Sequence, residues 1–148
     1  MFLLVPYVYF TLLTMKRVNG TKSDQGKVVS ITLSHNVIGE GQTIVILHGL
    51  FGSKRNWSSI AKQLSDTYRV LTVDLRNHGE SPWSDVHDYS SMAEDVATLI
   101  ENECSKPPIV LGHSMGGKVA MYLSIMRPQL VAQLIVVDIP PARSTGTP

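Results

Sequence analysis

The sequence predicts an α/β fold whose mostly parallel sheet is covered by helices on both faces, and three observations carry that prediction. From residue 43 onward, continuous apolar runs alternate with amphipathic stretches in the order β-α-β-α-β-α-β. That alternation is expected of strands buried on both faces by right-handed crossover helices. The second observation is Gly112-His113-Ser114-Met115-Gly116, a G-x-S-x-G sequence between an apolar run and a helix-forming run. A serine nucleophile on a sharp strand-to-helix turn sits in such a place. Third, His48-Gly49, Asp74, Ser114 and Asp138 all fall at the carboxyl ends of strands, where ligands bind in open parallel sheets.

In chain order, residues 1–26 are set apart from the fold as a leader or disordered segment. Met1 to Met15 carries no charged side chain and contains Pro6, and it is short for a span of ~20 residues. Lys16 and Arg17 follow the apolar stretch, whereas a signal peptide puts its positive charge first. A start of translation at Met15 is a further reading. Lys27 to Ser34 alternates imperfectly and predicts a first strand or edge hairpin, and Gly39-Glu40-Gly41 predicts a turn. Thr43 to Leu47 is a solid apolar strand. Trp57, Ile60, Ala61 and Leu64 share one face of the next helix. Arg69 to Leu75 is a strand with Asp74 at its end, followed by the loop Arg76 to Pro82. Ser91-Met92-Ala93-Glu94 has the capping-box form and opens a helix with Met92, Val96, Leu99 and Ile100 inward. Ile109-Val110-Leu111 leads into the elbow. Its helix aligns Met115, Val119, Tyr122 and Met126 and is stopped by Pro128. The last strand is Leu134 to Val137, ending at Asp138.

A chain of 148 residues is one domain by length, and its 43% apolar and 17% charged content is ordinary for a globular protein. A net charge of +1 offers no basic face for nucleic acid. The single cysteine, Cys104, excludes an intrachain disulfide and a cysteine zinc cluster and is read as inert. No metal constellation and no phosphate-binding G-x-G-x-x-G is present, so neither metal nor cofactor is expected.

The chemistry centres on Ser114 as nucleophile. The Met115 backbone N–H is one expected oxyanion donor, and an N–H of the His48-Gly49-Leu50-Phe51 loop is the other. The turn directs neighbouring side chains to different sides, so His113 is not expected to act as the base. His48 is read as a brace for the oxyanion loop and His78 as a residue that holds its own loop in shape. His35 and His87 are read as solvent-exposed loop histidines. Asp74 is read as loop scaffolding, either pairing with Arg76 or capping backbone amides. Asp138 is the only strong candidate for a triad acid after the nucleophile helix.

His48-Gly49-x-x-Gly52, Asp74-x-Arg76-x-x-Gly79-x-Ser81 and Gly112-His113-Ser114-Met115-Gly116-Gly117 occur in an order and spacing that resemble the alpha/beta-hydrolase superfamily. The fuller wording around these motifs, including Asn77 and Val137-Asp138-Ile139, resembles the domain-eleven subgroup of that superfamily and related small bacterial esterases. The likeness covers about residues 43 to 146. The resemblance implies a serine hydrolase acting on carboxylic esters, of the lipid or acylglycerol class, through an acyl-serine intermediate. It also implies a small-molecule ester as partner, and a mitochondrial location, with cytoplasm or membrane association through residues 1–15 as the alternative. Leu50 is preferred as the second oxyanion donor, with Phe51 the alternative. In that subgroup the triad acid follows a later strand, which sets Asp138 aside. Serine at 114, where dehalogenases and epoxide hydrolases carry aspartate, argues against those two activities.

Histidine comes last in the chain order of such a triad, and none occurs in Ile139 to Pro148. The expectation is therefore a partial alpha/beta-hydrolase fold lacking its C-terminal strands and lid. Residues 27–138 form its N-terminal part and 139–148 a linker toward the lid. Two function classes follow: a serine esterase that is catalytically incomplete as this chain, or a non-catalytic truncated hydrolase that binds an acyl ligand or a protein partner. The strand Leu134 to Val137 would lie at an open sheet edge, which favours self-association.

Overall fold

The computed structural model describes residues 30–137, together with the backbone of residues 11–13. Its sheet has six strands: β1 (Thr11–Leu13), β2 (His35–Ile38), β3 (Thr43–Leu47), β4 (Arg69–Val73), β5 (Ile109–His113) and β6 (Gln133–Val137), in the spatial order β1-β6-β5-β3-β4-β2. The four central strands run parallel, with β3 between β4 and β5, and β6 beside β5. The two outer strands, β1 and β2, are antiparallel to their neighbours.

The period of two along each central strand sorts its side chains between the two faces. On one face Ile44, Ile46, Val70 and Ile109 pack against Ala61, Trp57 and Leu64 of the first helical region, a 3-10 turn (Lys54–Trp57) running into α1 (Ser58–Leu64). On the other face Val45, Leu47, Leu71, Val73, Val110 and Leu134 meet two longer helices, α2 (Tyr89–Glu103) and α3 (Met115–Met126). The inward residues of α2 are Met92, Val96, Leu99 and Ile100, as the sequence predicts. Because every parallel strand ends on the same side of the sheet, His48, Asp74 and Ser114 emerge together there.

Several local expectations are corrected. The strand expected over Lys27 to Ser34 is not formed by residues 30–34; β2 begins at His35. Residues 30–34 run without ladder bonds, because their amides and carbonyls are held elsewhere. Ile31 N–H donates to Asp95 Oδ1 (2.8 Å), Ser34 N–H donates to Ser81 Oγ (2.8 Å), and the Ser34 carbonyl accepts from Asp74 N–H (2.9 Å). Residues 27–29 lie outside the described residues. His35 is therefore a strand residue, with its ring 3.1 Å from the Leu33 carbonyl and 3.7 Å from Glu103. The cap of α2 is Asp88, whose carboxylate accepts the Ser91 amide at 2.7 Å. Ser91 is thus buried in the first turn and does not open the helix.

The face of α3 is also rotated from the expected one. Met115 and Val119 are buried, but Tyr122 and Met126 are exposed, and Gly116, Ala120 and Leu123 complete the inner stripe. The helix packs against both the sheet and α2, and Tyr122 stacks on Tyr89 at 5.8 Å. In α1, Ile60 is 43% exposed and leaves the apolar face that the sequence assigns it.

The open edge expected at Leu134 to Val137 is occupied over three residues, since Thr11, Leu12 and Leu13 pair with Val136, Ile135 and Leu134. Excluding all of 1–26 from the fold therefore misses this strand. Among the described residues, no helix is long and apolar enough to cross a membrane.

Candidate active site

Ser114 stands between β5 and α3 with φ 49° and ψ −115°. Such a conformation is costly for a residue with a Cβ, by about 1–3 kcal/mol, and it persists only where surrounding structure enforces it. Here the enforcement is visible. Ser114 N–H donates to the Val137 carbonyl at 3.1 Å, which anchors the turn to β6, and Lys118 N–H donates to the Ser114 carbonyl at 3.2 Å. Gly116 lets the first turn of α3 sit on the end of β3. A Cβ there would lie 2.5 Å from the carbonyl oxygens of both Leu47 and His48. The chain is thus bent so sharply that the half-buried serine stands at the apex, beside the unpaired amides of a helix N-terminus. Among the described residues the Met115 N–H, first of that helix, donates to no other group.

The loop after β3 lies directly against this elbow. Gly52 N–H donates to the Gly49 carbonyl at 3.0 Å, closing a turn in which Phe51 takes φ 59°. A Cβ on Gly49 would lie 2.8 Å from His113 Nδ1 and 3.3 Å from Ser114 Cβ, so only glycine allows the loop to come this near. The Leu50 and Phe51 side chains are 56% and 93% exposed, and their amides likewise donate to no group among the described residues. A cavity of about 370 Å³ opens beside the loop, bounded by Leu50, Phe51, Trp57, Ile60 and His113. It meets the elbow through His113, whose ring stands edge-on to Trp57 at 6.2 Å.

The buried His48 ring uses both nitrogens within the scaffold. Nδ1–H donates to the Gly49 carbonyl (2.7 Å), and Nε2 accepts the Leu75 amide (3.0 Å). Burial holds its pKa below the ordinary 6.5, so it stays neutral and braces the loop. His78 donates from Nδ1 to the Arg76 carbonyl at 2.9 Å and packs 5.0 Å from His48. His87 is exposed and meets the Asn77 amide at 3.2 Å.

Asp74 caps backbone amides, as one of the two sequence readings has it: Oδ1 accepts Lys54 N–H (2.6 Å) and Oδ2 accepts Glu80 N–H (2.9 Å). The other reading, a pair with Arg76, is wrong. Arg76 turns into the core and grips Asp95 of α2 with two bonds of 2.6 and 2.8 Å, while the cation beside Asp74 is Lys54, at 3.1 Å. Burial alone would raise the Asp74 pKa, but the two amides and the Lys54 ammonium outweigh it and hold the carboxyl below its usual range. Burial likewise opposes the Lys54 charge, and its bonds to Glu80 and Asp74 more than restore it.

Lys54 and Asp95 are the residues that sequence reasoning missed. Asp95 carries a signal, because it sits on the apolar stripe of α2, three residues after Met92 and four before Leu99, where a charge demands a buried partner. Lys54 carries none. Asp138 lies outside the described residues.

The pKa directions set an acid sensitivity. Above about 6.5, His48 is neutral in both folded and unfolded chains; below it the unfolded state takes up the proton first and gains stability. Asp74 adds a second loss on the same side, as pH falls below about 3.9 toward its lowered folded value. Thermal melts between pH 8 and pH 4 should therefore show stability falling from pH 6.5 downward, and His48→Gln should flatten the upper step. A melting temperature constant from pH 7 to pH 5 would contradict this.

Residues 42–147 match the alpha/beta hydrolase fold family. The chain belongs to the alpha/beta-hydrolase family. Among curated members of this family, "sn-1-specific diacylglycerol lipase ABHD11" of Mus musculus is 47% identical over 120 residues, covering 78% of this chain and 39% of that protein. "Probable alcohol acetyltransferase" of Saccharomyces cerevisiae is 44% identical over 130 residues, covering 77% and 38%. The solved structure "Marine microorganism esterase" superposes with a TM-score of 0.70 at 45% identity, covering 72% of this chain and 41% of that one. The chain thus spans about two fifths of the length of these alpha/beta-hydrolase relatives.

Proposed function

We propose that this chain carries the nucleophile and oxyanion machinery of a serine hydrolase that cleaves carboxylic esters, of the lipid or acylglycerol class, through an acyl-Ser114 intermediate. The observation that carries the reading is the strained Ser114 turn at the β5–α3 junction, with the Gly49 to Gly52 loop packed against it. Ser114 Oγ attacks the ester carbonyl carbon while its proton passes to a base. The carbonyl π pair moves to oxygen, and the resulting oxyanion is held by the Met115 amide and the Leu50 amide. Collapse expels the alcohol, which takes the proton, and leaves the acyl group on Ser114. Water repeats the sequence and releases the acid.

In this reading the acid and the imidazole base lie outside residues 30–137. Residues 27–138 are the N-terminal part of the catalytic domain, 139–148 lead toward a lid, and 1–26 precede the domain. The lipid class and the mitochondrial compartment rest on resemblance, and the name of the mouse relative is in keeping with the former.

His113 is not the base. Its ring packs against Gly49 and edge-on to Trp57, so His113→Gln in the full-length protein should leave acylation of Ser114 measurable. A loss as complete as that of Ser114→Ala, with folding intact, would overturn this.

The name of the yeast relative favours a second reading of the same intermediate, in which an alcohol replaces water as acyl acceptor. A panel of p-nitrophenyl esters and a diacylglycerol, assayed with and without ethanol, tests both: free acid reports hydrolysis, and a new ester reports transfer. Fluorophosphonate labelling with peptide mapping should mark Ser114. A folded protein that binds acyl ligands with neither labelling nor turnover would point instead to a non-catalytic role.

A further inference from the structure

The oxyanion loop is pinned at both ends by a single dipeptide, Asp74–Leu75. At the front of the loop, Leu75 donates its amide to His48 Nε2 (3.0 Å), and His48 Nδ1–H donates to the Gly49 carbonyl (2.7 Å). At the back, Asp74 accepts the Lys54 amide on Oδ1 (2.6 Å) and faces the Lys54 ammonium on Oδ2 (3.1 Å). The dipeptide is itself tied down, since the Ser81 hydroxyl donates to the Asp74 carbonyl (2.6 Å) and Asp74 N–H donates to the Ser34 carbonyl (2.9 Å). His48, Lys54, Asp74 and Leu75 are each at most 4% exposed. Between the two pins lie Gly49 to Ser53, which include the two loop amides, of Leu50 and Phe51, that could serve the oxyanion beside Met115.

We propose that Asp74 and His48 are positioning residues that act as one unit, setting where the Leu50 and Phe51 amides stand relative to Ser114. The proposal rests on the serine-hydrolase reading above. A donor that must meet developing charge within a few tenths of an ångström is sensitive to its support. The loop itself lacks the means to hold its place: it has one internal backbone bond, Gly52 to Gly49, and a residue at positive φ, Phe51. Asparagine at 74 would turn one acceptor into an NH₂ group facing an amide donor, releasing the back of the loop. Glutamine at 48 can replace the Nε2 acceptor but not the Nδ1–H donor, releasing the front.

The test uses the kinetics of a fluorophosphonate probe on a full-length protein that supplies the triad acid and base. Ser114 Oγ forms a bond to phosphorus as the P–F bond breaks, fluoride leaves, and the hydroxyl proton passes to the base, with charge developing on the phosphoryl oxygen. The amplitude of labelling counts folded, competent protein, and the rate constant reports the site. Asp74→Asn and His48→Gln should each lower the limiting rate constant about tenfold or more, with the half-saturating probe concentration changed less than about twofold. The double variant should lose little beyond the larger single loss, as expected of residues acting as a unit. Asp66→Asn, at an exposed position after α1, should label at the wild-type rate. A merely structural role would lower the amplitude and leave the rate constant of the surviving fraction unchanged, and that result in both variants would overturn the proposal. If Asp74→Asn gives no folded protein, His48→Gln alone decides. Absence of Ser114 labelling in the wild type would defeat the hydrolase reading itself, whereas normal wild-type labelling with unchanged variant rates defeats only the positioning role.

Discussion

In a full-length protein that supplies the triad acid and base, replacing Ser114 with alanine should remove fluorophosphonate labelling and cut ester turnover by about 10³-fold or more, since the covalent route disappears and only binding and the oxyanion donors remain. Replacement by glycine should do the same to activity and, in addition, raise thermal stability. Ser114 holds φ 49° and ψ −115°, which glycine adopts without a Cβ clash, so relief of about 1 kcal/mol is expected. Opposite signs of the two effects would mark a residue whose conformation serves chemistry at the expense of stability. Calorimetry and an ester assay on the same preparations check both. Undiminished turnover in Ser114→Ala would sink the assignment, and a lower melting temperature in Ser114→Gly would contradict the strain.

The second large effect is on the fold. Asp95→Ala leaves Arg76 buried at 1% exposure with its two hydrogen bonds to the carboxylate gone. Breaking a buried pair by removing one partner costs about 3–5 kcal/mol, a large part of the total stability of an ordinary domain. The loss reaches further, because Asp95 also accepts the Ile31 amide, while Arg76 holds the Val86 carbonyl in the loop before α2. Chemical denaturation should show Asp95→Ala largely unfolded at temperatures where the parent is folded. A shift below about 1 kcal/mol would mean that the pair carries little of the fold.

What the sequence made legible was what short-range pattern encodes. Ile44 to Leu47 and Ile109-Val110-Leu111 are aliphatic runs that read as buried strands, and glycines at 112 and 116 flank a serine where the backbone must turn sharply. Those two facts place the elbow. The partners of charged residues were not legible, because pairing is settled by tertiary approach. Arg76 could reach Asp74 two residues away, yet its carboxylate is nineteen residues on, in α2. Lys54 lies in a loop without periodicity and meets Asp74 only because β4 packs beside β3. The cap of α2 misled for a local reason: Ser91-x-x-Glu94 has the right wording, but Asp88 three residues earlier accepts the Ser91 amide first. The outer strand at Thr11–Leu13 was hidden because an apolar segment preceding a domain has no alternation to mark its register.

The central claim is a covalent acyl group on Ser114, and trapping it is the most direct measurement. A full-length protein that supplies the triad acid and base is mixed with excess p-nitrophenyl butyrate, quenched in acid within seconds, digested, and its peptides weighed. The expected result is a butyryl mass increment on the peptide containing Gly112-His113-Ser114-Met115-Gly116, localised by fragmentation to Ser114 and absent from Ser114→Ala. A butyryl group on another residue, or turnover of the ester with Ser114 unmodified at every quench time, would contradict the account.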